Sequence, residues 1–391
     1  MAVTKDLASP EDVGFSTERL ARIDEYIDRS VISGRLPGAV TIVGRRGRVV
    51  HEHAAGAYAR DAIFRLASMT KPVTCVAALI LFEEGRFLLD DPVADFLPEF
   101  TATRVFSSAG AVALERPISI RHLLTHTSGI AYDFTAEPAL GDLYRKAISG
   151  APPDESLGDR VRRLATLPLN HQPGAGWTYG YSHDVLGRLI EVIADEPFEG
   201  FLRRRIFEPL EMSDTDFHHT PGEANRMATV FASRGERKLE PVDRPDLDRS
   251  RPPARAMGGA GLISTAGDYA RFCQMLLNGG ALGDLRLLGR KTVELMATNQ
   301  TGPTSPFPPS MPPEWTMSAY GYGLGVRVLM DVSKSNAGGS VGEYGWSGAQ
   351  STYFWIDPAE SLFGVFMTQL EDIQLRYART VQALTYQALV D

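Results

Sequence analysis

The segments of this chain that resemble β-strands lie near its two ends, with mostly helical patterns between them. Residues 38–44 form a β-branched run, and a polar turn separates it from a second run at 49–55, which predicts a hairpin. Apolar runs of similar length recur at 352–356 and 362–367. Strands that share a sheet have to meet in space, so the fold has to bring both ends of the chain together.

Helical periodicity fills the middle of the chain and returns in a predicted last helix near residues 373–389. The Pro-rich segment 303–313 is predicted to be an exposed loop. We therefore predict an α/β (α+β) domain built from residues 1–65 and 256–391, with a mainly helical domain of residues 66–255 inserted between its two parts.

The composition is that of a soluble globular protein, because 43% of the 391 residues are hydrophobic and 23% are charged. The formal net charge of −8 argues against nucleic acid or an anionic membrane as a partner. No stretch approaches the roughly 20 apolar residues of a membrane-spanning helix, and the N-terminal residues lack a signal-peptide core. We expect a cytoplasmic protein without a membrane partner, and no pattern indicates an oligomeric state.

The cysteines and the adjacent histidines do not form a metal-binding pattern. Cys75 and Cys273 both lie in apolar, helix-like stretches, which predicts two buried free thiols. His218 and His219 have no further ligand at metal-binding spacing, so we expect both on the surface. The sequence therefore predicts neither a metal nor a cofactor.

A serine and a lysine three residues apart carry the predicted chemistry, within FRLASMTK at residues 64–71. The spacing places Ser68 and Lys71 on one helical face, and a serine at a helix start faces the positive end of the helix dipole. A serine hydroxyl becomes a nucleophile when a neighbour takes its proton, which a lysine can do or assist. From the tetrapeptide alone, an N-cap serine followed by a surface lysine is the stronger alternative.

Further sequence motifs follow in order along the chain, and they favour the nucleophilic serine over the N-cap alternative. Residues 118–130 contain HLLTHTSG, residues 208–212 are EPLEM and residues 258–265 are GGAGLIST. Together with FRLASMTK they resemble the motifs of the superfamily of class C β-lactamases, penicillin-binding proteins and family VIII carboxylesterases. The resemblance implies a β-lactamase/transpeptidase-like fold, with a central antiparallel sheet flanked by helices and a mainly helical domain. It also implies an active site in the cleft between the domains, with Ser68 as nucleophile and Lys71 as its activating partner.

The family pattern also includes a catalytic tyrosine, and residues 176–187 contain two candidates. Tyr181 opens a Tyr-Ser-His triplet similar to the Tyr-x-Asn of the lactamases. Tyr179 instead fits the Trp-x-Tyr of family VIII esterases, whose Asp-x-x-Gly ends eight residues later, here at Gly187. We favour Tyr179, whose phenolate, kept ionised by the lysine, could take the Ser68 proton and return it to the leaving group. We expect Tyr181 to line the substrate site.

The segment Trp346-Ser347-Gly348 lies where the lactamases and penicillin-binding proteins have Lys-Thr-Gly, which recognises a substrate carboxylate. An indole in place of that ammonium favours a neutral ester, and we expect these three residues to bind substrate. The alternative for Trp346 is a core tryptophan. The resemblance further implies an oxyanion hole made by the backbone N–H groups of Ser68 and Ala349.

Other residues suggest rival nucleophiles or bases. Residues 338–342 fit Gly-x-Ser-x-Gly around Ser340, but that motif needs a strand before it and a helix after it, and the flanking residues indicate a loop. His122 and His126 suggest a Ser-His pair, yet they belong to a block that the resemblance marks as structural.

These predictions combine into a serine carboxylesterase that hydrolyses short- to medium-chain esters through an acyl-enzyme on Ser68. An acyltransferase with an alcohol or amine acceptor would use the same acyl-enzyme. A β-lactamase or D-Ala-D-Ala peptidase is a second alternative, and a binding protein without activity on the same fold is a third.

Overall fold

A computed structural model describes residues 7–235, 238–303, 305–307 and 317–391. The strands in chain order are β1 (Gly38–Arg45), β2 (Arg48–Gly56), β3 (Phe64–Arg65), β4 (Arg104–Val105), β5 (Val112–Ala113), β6 (Phe231–Ser233), β7 (Leu239–Pro241), β8 (Ile263–Ser264), β9 (Ala281–Leu282), β10 (Leu285–Arg286), β11 (Tyr320–Tyr322), β12 (Arg327–Leu329), β13 (Tyr344–Ser347), β14 (Tyr353–Asp357) and β15 (Leu362–Met367). A seven-stranded antiparallel sheet has the order β11-β12-β13-β14-β15-β1-β2. Its strands come from both ends of the chain, as the apolar runs predict. The bounds of the two domains remain a prediction.

The helices lie mostly between the two groups of sheet strands. In chain order they are α1 (Thr17–Ile32), α2 (Thr70–Glu83), α3 (Ile120–Leu124), α4 (Pro138–Ser149), α5 (Leu157–Ala165), α6 (Ser182–Ala194), α7 (Phe198–Leu202), α8 (Ala266–Leu277), α9 (Arg290–Met296) and α10 (Leu375–Gln387). α2 is buried around most of its circumference and packs against α6. This pairing forms the centre of the helical part.

Helices cover both faces of the sheet. On one face α1 and α10 pack together and bury Ile23 and Val381 in one cluster with Trp355. On the other face α8 crosses β1, β14 and β15, with the Tyr269 and Phe354 ring centroids 5.2 Å apart. Because both faces are covered, β14 and β15 are buried along their whole length instead of alternating between buried and exposed residues.

The predicted helix at Ser68 begins two residues later than the motif suggests. Ala67–Met69 form a short 3-10 turn, and α2 starts at Thr70. Ala67 has a left-handed φ of 45°, which is incompatible with a regular right-handed helix. Pro72 then lies in the first turn of α2, where its missing N–H removes no helical hydrogen bond.

A short ladder joins the serine segment to the glycine-rich block. β3 pairs with β8, so that Phe64 lies opposite Ser264 and Arg65 opposite Ile263. The Leu66 N–H continues this ladder by donating to the Leu262 carbonyl at 2.8 Å. Two motifs that are distant in sequence therefore lie side by side.

A buried ionic cluster ties the outer strands to α10. Arg327 of β12 donates to the Glu343 carboxylate at 2.9 Å, and neither side chain is more than 2% exposed. Gln382 of α10 donates to the other oxygen of Glu343 at 2.7 Å, and Tyr353 of β14 donates to Gln382 at 2.9 Å. The cluster therefore links one edge of the sheet to the last helix.

The two thiols are confirmed as free and buried. Within the described ranges, no group of His, Cys, Asp and Glu side chains has the arrangement of a metal site. No helix in those ranges is long and apolar enough to cross a membrane. Most of the predicted loop at 303–313 lies outside the described residues.

Changing Glu343 to Gln should lower the free energy of unfolding by about 3 kcal/mol or more, because it leaves the buried Arg327 cation without a counter-charge. Urea denaturation followed by circular dichroism measures the loss. The control is Glu18→Gln, since Glu18 is 90% exposed and its pair with Arg22 spans 3.8 Å. That change should cost less than about 0.5 kcal/mol, and equal losses in the two variants would contradict the prediction.

Candidate active site

Ser68 is presented by the short turn that leads into α2. It is half-buried, and the residue before it, Ala67, has the left-handed φ of 45°. Hydrogen bonds hold both flanks of the turn, since Tyr269 donates to the Met69 carbonyl at 3.0 Å and Thr352 donates to the Leu66 carbonyl at 3.3 Å. A strained residue held in place by its surroundings is frequent next to reactive groups.

Lys71 has no exposed surface and points its ammonium at the serine. Its Nζ donates to Ser68 Oγ at 3.1 Å and to the Gly259 carbonyl at 2.7 Å. The predicted i, i+3 contact is therefore present, although the serine precedes the helix. The alternative of a surface lysine is wrong.

The two candidate tyrosines occupy different places. The Lys71 ammonium lies 4.5 Å from the centroid of the Tyr179 ring. Tyr181 is the residue before α6, and its ring stands edge-on against Tyr132 with centroids 4.5 Å apart. Tyr179 is thus next to the lysine, and Tyr181 lies on an aromatic surface beside it. This geometry favours Tyr179 as the proton carrier.

Trp346 lies on β13 and contacts Tyr179. Its indole Nε1 donates to the Tyr179 hydroxyl at 3.4 Å, and the two ring centroids are 5.8 Å apart. Trp346 is only 3% exposed and packs against Tyr322 and Phe307. The indole therefore lies next to the predicted catalytic tyrosine, as expected, and is also buried like a core residue. Little of its surface is available for direct contact with a substrate.

The end of β13 crosses the serine turn closely. Ser347 is buried, and the Gly348 N–H donates to the Thr352 carbonyl at 2.8 Å. A Cβ on Gly348 would lie 2.3 Å from the Leu66 carbonyl oxygen, so this crossing requires glycine. Ala349 follows directly, which places its backbone close to the turn that carries Ser68.

The two N–H groups expected to form an oxyanion hole have no competing acceptor among the described residues. Ser68 is the second residue of the 3-10 turn, a position whose N–H lacks a partner within the turn. The Ala349 N–H makes no hydrogen bond to a described backbone carbonyl. Both are therefore free to bind a ligand oxygen.

The histidines of the helical part do not pair with Ser68. His122 caps α3, with its Nδ1 accepting the Ser119 N–H at 3.1 Å. His126 is fully buried, 4.5 Å from the ring of His183 and 4.7 Å from that of Tyr179. Burial lowers the pKa of His126 and of His183 well below the usual range, so both imidazoles are neutral at pH 7.

Two further sequence expectations have clear outcomes. Ser340 lies in the loop between β12 and β13, and its N–H donates to Asp357 at 3.0 Å, so the strand–turn–helix context of a nucleophile elbow is absent. The surface position expected for His219 is wrong: the residue is only 9% exposed and its Nδ1 lies 2.8 Å from the Thr220 carbonyl. His218 is half-buried.

Sequence reasoning missed several residues that adjoin the site. The Lys71 ammonium lies 5.7 Å from the centroid of the Tyr132 ring, and Phe134 stacks on Tyr132 at 5.3 Å. Asp184 accepts the Gly259 N–H at 3.0 Å. Asp184 belongs to the Asp-x-x-Gly pattern that favoured Tyr179. The sequence therefore singled out this aspartate but did not predict its hydrogen bond with Gly259.

Known proteins share this architecture over almost the whole chain. Residues 23–387 match the family model described as Beta-lactamase. Protein Rv1367c of Mycobacterium tuberculosis (strain ATCC 25618 / H37Rv) is 35% identical over 86% of this chain and 86% of its own length. Esterase EstB of Burkholderia gladioli is 31% identical over 92% of this chain and 94% of its own. The solved structure of "EstCE1, a hydrolase with promiscuous acyltransferase activity" has a TM-score of 0.80 at 26% identity, over 94% of this chain and 99% of that one. The predicted β-lactamase/transpeptidase-like fold is confirmed.

Changing Tyr179 to Phe should slow the labelling of Ser68 by a fluorophosphonate about 100-fold or more, because it removes the group placed to accept the serine proton. The matched control, Tyr181→Phe, removes the hydroxyl of the neighbouring tyrosine and should stay within about threefold of the original rate, because an aromatic packing contact survives the change. Intact-protein mass spectrometry measures both rates. A larger effect at Tyr181 would reverse the assignment.

Proposed function

The chain belongs to the beta-lactamase family and is a serine hydrolase, and on that premise we propose that it is a carboxylesterase for short- to medium-chain esters. The observation that carries the proposal is the contact of the Lys71 ammonium with Ser68 Oγ and the Tyr179 ring, beside an indole that takes the place of a carboxylate-binding lysine. The likeness to Esterase EstB supports it.

Acylation uses the three grouped side chains. Ser68 Oγ attacks the ester carbonyl carbon while the Tyr179 phenolate takes its proton, and the same proton passes to the departing alkoxide, which leaves as an alcohol. The Lys71 ammonium stabilises negative charge on Tyr179 and on the attacking oxygen. Water then attacks the acyl-enzyme and releases the carboxylic acid, with the proton path reversed.

The carbonyl oxygen gains negative charge in both steps. In the proposal the Ser68 and Ala349 N–H groups bind that oxyanion, because both are otherwise without an acceptor and lie on adjoining turns. The dipole of α2 adds to this stabilisation, since the turn with Ser68 lies at its N-terminal end.

Trp346 determines the kind of substrate that the proposal names. Its Nε1 donates to the Tyr179 hydroxyl and orients that ring, and it places no cation where the resembling lactamases recognise a carboxylate. A neutral ester needs no such cation, whereas a β-lactam or a D-Ala-D-Ala peptide carries the carboxylate that would be left unpaired. In the proposal, Ser347 and Gly348 contribute their backbone to the side of the substrate site that the end of β13 forms.

An aromatic surface extends outward from the lysine and supplies the apolar contacts. Tyr181 and Tyr132 are both half-buried, and Phe134 is 76% exposed on the outside of the stack. An exposed aromatic that continues a row of partly exposed rings is suited to bind an apolar group of the substrate.

Acyl transfer is the second candidate, and the printed description of EstCE1 as a hydrolase with promiscuous acyltransferase activity favours it. An alcohol in place of water would collect the acyl group from Ser68. Product analysis with an added primary alcohol separates the two, since transfer predicts a new ester and faster release of the acyl group.

Changing Ser68 to Ala should reduce turnover of p-nitrophenyl butyrate by roughly 10⁴-fold or more, because no acyl-enzyme forms. Ser340→Ala is the matched control and should leave turnover unchanged, as Ser340 lies in a loop between β12 and β13 that lacks the strand–turn–helix context of a nucleophile. Spectrophotometry of p-nitrophenol release checks both variants. Activity that survives in S68A would overturn the proposal.

Changing Phe134 to Ala should lower kcat/KM for a phenyl-substituted ester about fivefold and leave a methyl ester nearly unchanged, because one aromatic contact is lost. Leu143→Ala, at a residue of α4 that is 44% exposed, is the control and should affect neither ester. Equal losses for the two esters in F134A would show that Phe134 does not contact substrate.

A further inference from the structure

Lys71 is a buried cation without a direct ionic partner among the described residues. Its side chain has no exposed surface, and its nitrogen bonds a hydroxyl and a carbonyl, both neutral groups. A buried ammonium is unfavourable unless a negative charge lies nearby. The Gly259 carbonyl, which accepts from the ammonium, connects it to such a charge.

Gly259 carries a hydrogen bond at each of its backbone polar groups. Its N–H donates to Asp184 Oδ1 at 3.0 Å, and its carbonyl accepts from the Lys71 ammonium at 2.7 Å. A Cβ on this residue would lie 2.8 Å from Asp184 Oδ2, so glycine is required for the carboxyl group to come this close. Asp184 and Lys71 are therefore connected through one residue.

The contact that Asp184 makes does not explain why a carboxyl group is present. Asp184 has no exposed surface, and its Oδ2 has no hydrogen-bond partner among the described residues. A structural acceptor for the Gly259 N–H needs one oxygen and no charge, which an asparagine would supply. An unpaired buried oxygen is costly, so a purely structural role leaves it unexplained.

The groups that face Asp184 are mostly cationic. Burial raises the pKa of this carboxyl, while the Gly259 N–H, Lys71 and two arginines act to lower it. The titratable side chains around it are Lys71 of α2, Arg160 of α5, Arg255 of the segment before the glycine-rich block, and Tyr132 and Tyr181 of the aromatic surface.

We propose that Asp184 is a positioning residue for Lys71. It holds Gly259 so that the carbonyl accepts one hydrogen bond from the ammonium and the ammonium stays directed at Ser68, and its negative charge favours the protonated lysine. This inference rests on the proposed roles of Ser68 and Lys71. Removal of a buried negative charge disfavours protonated groups and favours ionised groups around it, so we expect the pH–rate profile to move to lower pH.

The test replaces Asp184 by Asn, which keeps the acceptor oxygen and removes the charge, and by Ser, a smaller neutral acceptor. We expect kcat for p-nitrophenyl butyrate to fall about 10- to 100-fold with KM within about threefold, and the profile to move by about one pH unit toward acid. The pH dependence of fluorophosphonate labelling of Ser68 should move by the same amount, whatever the substrate of the enzyme is.

Asp268→Asn is the matched control. Asp268 is also a buried carboxyl that accepts a backbone N–H, from Asp214 at 2.8 Å, together with the Thr215 hydroxyl at 2.9 Å. Burial raises the pKa of Asp268 to about 6, yet it lies on α8 and does not contact Gly259. We expect D268N to lower the melting temperature and to leave the pH–rate profile where it is.

Each outcome either supports or overturns the role of Asp184 as a positioning residue. A shifted profile in D184N or D184S, with a cooperative thermal transition retained, supports the assignment. An unshifted profile, or failure of both variants to fold, makes Asp184 a structural residue and overturns it. Activity in S68A would instead overturn the proposed function, so the two failures are distinguishable.

Discussion

The buried Lys71 ammonium is the interaction on which the rest of the site depends. It contacts Ser68 from the turn before α2, the Gly259 carbonyl from the glycine-rich block, and the Tyr179 ring from the segment before α6. Burying an ammonium in a protein interior is unfavourable unless hydrogen bonds and nearby groups compensate its charge. The three segments therefore have to converge around it, which assembles the serine, the lysine and the tyrosine in one place.

Close backbone approach makes this convergence possible. A Cβ on Gly258 would lie 2.1 Å from the His183 carbonyl oxygen, and one on Gly259 would lie 2.8 Å from Asp184. A Cβ on Gly348 would lie 2.3 Å from the Leu66 carbonyl oxygen. These glycines are thus explained by contacts between distant segments, where any side chain would push the segments apart.

Among the described residues, the side chains in contact with the Tyr179 ring are neutral apart from the lysine. The buried imidazoles of His126 and His183 have lowered pKa values and carry no charge at pH 7, and the indole of Trp346 contributes only a hydrogen bond. A single cation in an aromatic, water-poor environment acts more strongly on a phenolate than it would in solvent. This environment suits the proton transfers proposed for ester cleavage.

The sequence by itself determined two central strands of the sheet and the reactive pair. The runs at 352–356 and 362–367 match β14 and β15 within one residue, and the i, i+3 spacing of Ser68 and Lys71 predicted their contact, because strand and helix periods are local properties of the chain. Only the tertiary structure decided which tyrosine faces the lysine, that His219 is buried, and that Asp184 reaches Lys71 through Gly259. Those facts depend on how segments far apart in sequence cross one another, and no local pattern encodes the distance between them.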